Sequence, residues 1–164
     1  MRLYFSKCPG GVKLYGIRFN IPNEYGCILE NILHDINVEK YNWYVEYEDI
    51  LVEPVIEGKP LFNQNIIKGG DFKKKISNIT YYIMFLRLYA FPVDKKVTQI
   101  TSFSNYFASD CELMLFLTSS IFAELYSQNR NLLLTLYSTA EKNNFSAIEI
   151  IKEFGPKDYD LLPL

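Results

Sequence analysis

Apolar positions along this chain recur with two periods, one suited to strands and one to helices, and the order in which they alternate predicts the fold class. Leu14, Ile17, Phe19 and Ile21 supply the apolar contacts of a strand over 12–21, and Gly16 breaks the alternation as a bulge would. Pro22 and Asn23 then mark a helix start. Tyr25, Ile28, Leu29, Ile32, Leu33 and Ile36 follow at helical spacing as one apolar stripe, and Glu24 falls in the first turn, where the helix dipole favours an anion. From Tyr41 the period drops to two. Tyr41, Trp43, Val45 and Tyr47 alternate with Asn42, Tyr44, Glu46 and Glu48, the pattern of a half-buried strand. Asp49 reads as a turn, residues 50–55 as the returning arm of a hairpin, and 57–60 as a loop. Residues 61–68 fit neither period.

The second half is more regular. Asp71 is placed to cap a short helix carrying Phe72 and Ile76 down to about Asn78. The strongest strand covers 80–91, with Tyr81, Ile83, Phe85, Tyr89 and Phe91 on one face and Tyr82, Met84, Leu86, Leu88 and Ala90 on the other. Both faces are apolar, which predicts a central strand covered on each side, ended by Pro92. Thr101 or Ser102 opens a short helix carrying Phe103, Tyr106 and Phe107. Strands over 112–118 and 121–126 meet near Ser119 and Ser120. Asn129 caps a last helix with Leu132, Leu133, Leu136, Tyr137 and Ala140 as its stripe, and Asn143 and Asn144 close it. A final strand over 147–151 precedes a tail that begins at Gly155 and Pro156. Hairpins mixed with single crossovers predict an α+β domain, a mixed or mainly antiparallel sheet with about four helices packed on it. Residues 1–13, ending near Pro9, Gly10 and Gly11, read as an N-terminal extension, and 14–164 as the single domain.

Composition sharpens this picture in three ways. With 13 Tyr and 12 Phe in 164 residues, the core must be built largely from rings, and every buried phenol needs a hydrogen-bond partner. The formal net charge is −2, and the one basic triplet, Lys73, Lys74 and Lys75, follows closely on Asp71. That is not the concentrated positive field that a nucleic-acid partner requires. No apolar stretch approaches the length that spans a bilayer, and the first residues do not form a signal peptide, so no membrane partner and a cytoplasmic location are expected.

Candidate chemistry is sparse. His34, the sole histidine, lies near the end of the first helix, where the dipole favours a cation, and reads as a boundary residue. Cys8, Cys27 and Cys111 are odd in number and widely spaced, which argues against a disulfide framework and against a zinc site. Glu46, Glu48 and Asp49 cluster in the predicted hairpin, with Glu46 and Glu48 on one strand face, and read as solvated charges; Asp158 and Asp160 lie in the tail. The pairs Gly10–Gly11 and Gly69–Gly70 lack the phosphate-cradling motifs, and Asp71 would repel a phosphate. The matches to the glycosylation sequon at Asn78 and Asn144 are read as chance. No catalytic residue, cofactor or metal is assigned. Three residues stand out for interaction or for turn structure. Trp43 and Tyr44 are adjacent on a strand, so one ring enters the core and the other faces solvent or a partner, and Asp110 is placed to fix the turn before a buried strand.

The run from Gly16 through Ile17, Arg18, Phe19, Asn20, Ile21, Pro22, Asn23, Glu24 and Tyr25 to Gly26, together with Tyr41 to Tyr44, Thr80 to Tyr82 and Ser109 to Glu112, resembles a family of small uncharacterised proteins of Bacillus-like and clostridial bacteria, the domain of unknown function 2691 family. The likeness covers about 14–152 and implies no activity, cofactor or site residue.

Three functions compete. A non-enzymatic domain that binds another protein, in one version an immunity- or antitoxin-like protein, fits the ring-rich, mildly acidic composition. An enzyme would need a carboxylate or tyrosine site assembled only by the fold, around residues such as Arg18 or Arg87. A small-ligand sensor would need an aromatic cavity.

Overall fold

In the computed structural model, which describes residues 15–54 and 58–152, alternation of side chains along the chain becomes one antiparallel sheet. The readings made for residues 1–14, for Val55 and Glu57 and for the tail from 153 onward, Cys8, Asp158 and Asp160 among them, lie outside the described residues. The strands are β1 (Gly16–Asn20), β2 (Tyr41–Val52), β3 (Ile66–Lys68), β4 (Tyr81–Pro92), β5 (Leu113–Thr118), β6 (Phe122–Tyr126) and β7 (Ser146–Ile151). The helices are α1 (Ile28–Leu33), α2 (Gly69–Asn78), α3 (Phe103–Ala108) and α4 (Arg130–Lys142), with a 3-10 turn over Val38–Lys40. Strand order is β3-β2-β4-β5-β6-β1-β7, and every neighbouring pair is antiparallel. The fold is α+β, with four helices among the described residues. No helix among the described residues is long and apolar enough to cross a membrane.

Each face of the sheet has its own core. Leu29, Leu33, Phe72, Ile76, Leu136 and Ala140 on α1, α2 and α4 pack on Ile17, Phe19, Trp43, Leu86, Leu88 and Leu115 of the sheet. Phe72 is the centre of a ring column, stacked on Trp43 at 4.2 Å and on Phe62 at 5.5 Å. Each such ring, fully withdrawn from water, contributes about 1.5–3 kcal/mol. The opposite face carries a smaller core in which Phe103 and Tyr106 of α3 cover Tyr89, Phe91, Met114 and Tyr126. The Tyr81 hydroxyl shows how one of these phenols is satisfied. It accepts from Leu29 N–H at 3.1 Å and donates to Ile76 C=O at 3.0 Å. One hydroxyl thus answers a free N–H in the first turn of α1 and a free carbonyl in the last turn of α2.

Local signals hold at two helix starts, but Asp71 does not cap α2, which begins at Gly69 with no side-chain cap, so that Asp71 lies within its first turn. Asn129 accepts from Asn131 and Leu132 N–H as the cap of α4, and Ser102 accepts from Asn105 N–H as the cap of α3. Ser119 and Ser120 take positive φ between β5 and β6, and Asn144 does so after α4.

Tertiary contacts overturn four expectations. The first helix begins at Ile28, not at Pro22, because Gly26 pairs with Tyr81 through two backbone hydrogen bonds of 3.0 and 3.1 Å. Glu24 and Tyr25 therefore precede the helix, and Tyr25 rests on the ring of Tyr82 at 5.4 Å. The hairpin at Asp49 does not exist: β2 runs unbroken through Asp49 along β4. Gly16 is no bulge. A Cβ there would strike Leu125 C=O across β6, and the irregularity of β1 against β7 falls between Arg18 and Asn20. Finally, β4 changes face part-way. Met84 is left unpaired between Ile83 and Phe85, so Tyr81 and Ile83 join Leu86, Leu88 and Ala90 in the helix-side core, while Tyr89 and Phe91 belong to the core under α3.

Candidate functional site

Among the described residues, the helices leave half of one sheet face uncovered. In the register, Tyr47 pairs with Arg87, Arg87 with Phe116, Phe116 with Glu124, Glu124 with Arg18, and Arg18 with Glu149. Cross-strand partners share a face, so these six side chains form one row over six strands, about 24 Å long. The row runs along the border of the core under α3. Beyond it lie Asp49 beside Phe85, Leu51 beside Tyr82, and Thr118 beside Phe122. Large apolar side chains are left in water here: Tyr47 is 42%, Leu51 36% and Phe122 48% exposed. A cleft of about 380 Å³ opens against Phe122, lined also by Arg18, Asn20, Thr118, Glu124 and Glu149.

A second bulge sets the charges of the row. Val45 pairs with Leu88 and Tyr47 with Arg87, which leaves Glu46 as the extra residue of β2. Its carboxylate accepts from the Tyr89 hydroxyl at 2.8 Å and lies 3.5 Å from the Arg87 guanidinium. Burial, and then the Glu46 charge, push the Tyr89 phenol above its ordinary pKa. The Arg87 guanidinium carbon also stands 5.6 Å from the centre of the Phe116 ring. At the far end Arg18 Nε–H donates to Glu149 at 2.7 Å, with both side chains more than half exposed. Such a pair adds little stability but orients two charges. Between them the Glu124 carboxylate accepts from the Tyr126 hydroxyl at 3.0 Å.

The residues singled out from sequence fall elsewhere. Trp43 is completely buried and donates from Nε1 to Val38 C=O at 3.1 Å, so it is a core residue and not an interface ring. Tyr44 points the other way, half-buried against Tyr89 at 5.9 Å. Asp110 is exposed, and Ser109 performs the turn chemistry expected of it: Ser109 Oγ donates to Tyr106 C=O at 2.8 Å and accepts from Cys111 N–H at 3.1 Å. Glu46 and Glu48 do not share a face. The bulge sends Glu48 to the helix side, where its carboxylate accepts from Leu61 and Phe62 N–H. Neither is a solvated charge on an open strand. Burial raises the Glu48 pKa, though both amides oppose it.

Other groups carry structure rather than chemistry. His34 is exposed and 3.2 Å from Asp35. Asp35 ties α1 to α4 by accepting from Thr139 at 2.8 Å and Lys142 at 2.9 Å, and these bonds, led by that of Lys142 and joined by that of His34, hold its pKa far below the usual carboxylate range. A cleft of about 440 Å³ adjoins His34, Asp35, Glu39 and Lys73. Burial pushes the Cys111 thiol up to about 12, the reverse of what a nucleophile needs. Among the described residues no three His, Cys, Asp or Glu side chains converge as a metal site would require. Glu124 and Phe122 carry no local signal as site residues, because nothing local tells which strands they meet, and Arg18 stands out in the sequence only as a candidate for a catalytic site.

A family model described as "Protein of unknown function (DUF2691)" matches residues 14–160. The uncharacterized protein YncE of Bacillus subtilis (strain 168) is 32% identical over 140 residues, covering 84% of this chain and 92% of that protein. No solved structure gives a significant match.

Proposed function

This chain belongs to that family, whose description assigns no activity, and we propose that it is a non-enzymatic cytoplasmic protein that binds another protein through the open half of its sheet. One observation carries the reading: Tyr47, Leu51 and Phe122 are exposed on one face, bordered by a charge row whose members are held in place by their neighbours. Exposed rings on a rigid sheet anchor an interface at low entropic cost, and aromatic and arginine side chains are the residues in which binding energy concentrates. Arg87 and Glu46 meet as an enzymatic pair would, but the Phe116 ring lies against the guanidinium, and neither the cleft at Arg18 nor that at His34 is lined by Arg87. An immunity-like protein that occludes a toxin is one form of this function.

The test compares immobilised wild-type protein with a Phe122→Ser variant in capture from a bacillus lysate, followed by a binding titration of whatever is recovered. The expected result is a stoichiometric complex weakened at least tenfold by the substitution, as for an interface anchor. Recovery that is the same for both proteins would remove this face from consideration. For the immunity form, the recovered protein is expected to be a toxin bound at nanomolar affinity.

A further inference from the structure

We infer that the partner of this face is a protein that presents an apolar ridge bordered by lysine or arginine side chains. The inference rests on the protein-binding reading and adds the partner's chemistry to it. Along the described strands of the open half, the carboxylates are Glu46, Asp49, Glu124 and Glu149, and the cations are Arg18 and Arg87, four against two. Both cations already lie against glutamates, Arg18 on Glu149 and Arg87 on Glu46. The excess of two negative charges therefore resides with Asp49 and Glu124, which stand on opposite sides of Phe85 and Phe116. An acidic or purely apolar partner would bring like charge, or nothing, to Asp49 and Glu124 and would desolvate them without return. A basic border satisfies them, while Tyr47, Leu51 and Phe122 take the ridge. A second copy of this chain is disfavoured on the same ground, because its open face carries the same excess.

The experiment uses the full chain in three forms, wild type, Phe122→Ser, and Asp49→Asn/Glu124→Gln, beside a fourth form lacking residues 1–13, each checked for wild-type circular dichroism. Each is immobilised and offered two pools of lysate protein, one retained by a cation exchanger and one retained by an anion exchanger. The expected partner comes from the cation-exchanger pool, is lost with Phe122→Ser, binds at least tenfold more weakly to the amide variant, and weakens further between about 0.05 and 0.5 M salt. A partner that requires Phe122 but comes from the other pool, or ignores both the amide substitutions and salt, overturns this inference and leaves the protein-binding reading standing. Capture that never depends on Phe122 overturns both. A dimer seen by sedimentation velocity and abolished by Phe122→Ser assigns the face to a second copy. Capture that begins only when residues 1–13 are removed assigns it to that segment. Either result overturns the inference.

Discussion

The Tyr89 hydroxyl donates to Glu46 at 2.8 Å across two strands, and the bulge that makes Glu46 the extra residue of β2 is what aims the carboxylate there. This bond ties the row of charges on the open face to the core under α3, since Tyr89 is itself fully buried. Replacing Tyr89 by Phe keeps the ring and removes the donor to a half-buried charge. The expected loss is about 1–3 kcal/mol, read from urea unfolding followed by the emission of Trp43, the one tryptophan of the chain. A double-mutant cycle with Glu46→Gln should be non-additive by about 1 kcal/mol. Additive losses would mean that the two groups do not act as a pair.

Two carboxylates should make acid stability depend on pH in opposite senses. Asp35 is held below its ordinary value of 3.8 by Lys142, Thr139 and His34. Its stabilisation is complete above pH 3.8 and is lost as pH falls toward the depressed value. The stability gap between wild type and Asp35→Asn should therefore be constant near neutrality and close in acid. Burial raises Glu48 above its ordinary 4.5, so its contribution is complete below pH 4.5 and is lost as pH rises through the raised value. Glu48→Gln should gain on wild type over that rise. Urea midpoints measured from acid to neutral pH check both; parallel curves would contradict the assignments.

Two backbone positions should respond oppositely to a single methyl group. A Cβ on Gly69 would stand 2.6 Å from Glu39 Cα and 2.7 Å from Tyr41 O, and would also strike Val38 O, all of them backbone. Gly69→Ala should cost about 3 kcal/mol, since the 3-10 turn must move away from α2. Ala147 sits at φ 51, in the irregular stretch where β7 leaves register with β1. Ala147→Gly relieves that strain and should stabilise by about 0.5–1 kcal/mol after the added entropy of the unfolded chain. Thermal unfolding of both variants gives the comparison. A Gly69→Ala protein as stable as wild type would show that the turn and helix are not in close contact.

Much of the fold is legible wherever one residue's chemistry acts on its own neighbours. Asn129 and Ser102 cap α4 and α3 because a side-chain oxygen reaches amides two or three residues on. Asn144 and the Ser119–Ser120 pair take the left-handed conformation where the chain must reverse. The stripe of α4 and the apolar pattern of β4 announce burial. The candidate site was much less legible. Alternation places Trp43 and Tyr44 on opposite sides of a strand but does not name the partner of either, and the turn before β5 is held by Ser109, next to Asp110.

By itself, then, the sequence determined most of the element types, many of their ends, the ring-rich cores and the α+β class, because these follow from periodicity and from bonds spanning a few residues. Only the tertiary structure decided that Gly26 would pair with Tyr81 and delay α1, that bulges at Glu46 and Met84 would exchange the faces of β2 and β4, and that Arg18, Glu124 and Phe116 would fall in one row. A strand's side chains alternate with a period of two, so a one-residue slip against a distant partner reverses every face. The partner that sets the register is chosen by packing across the whole chain, and no local pattern encodes that choice.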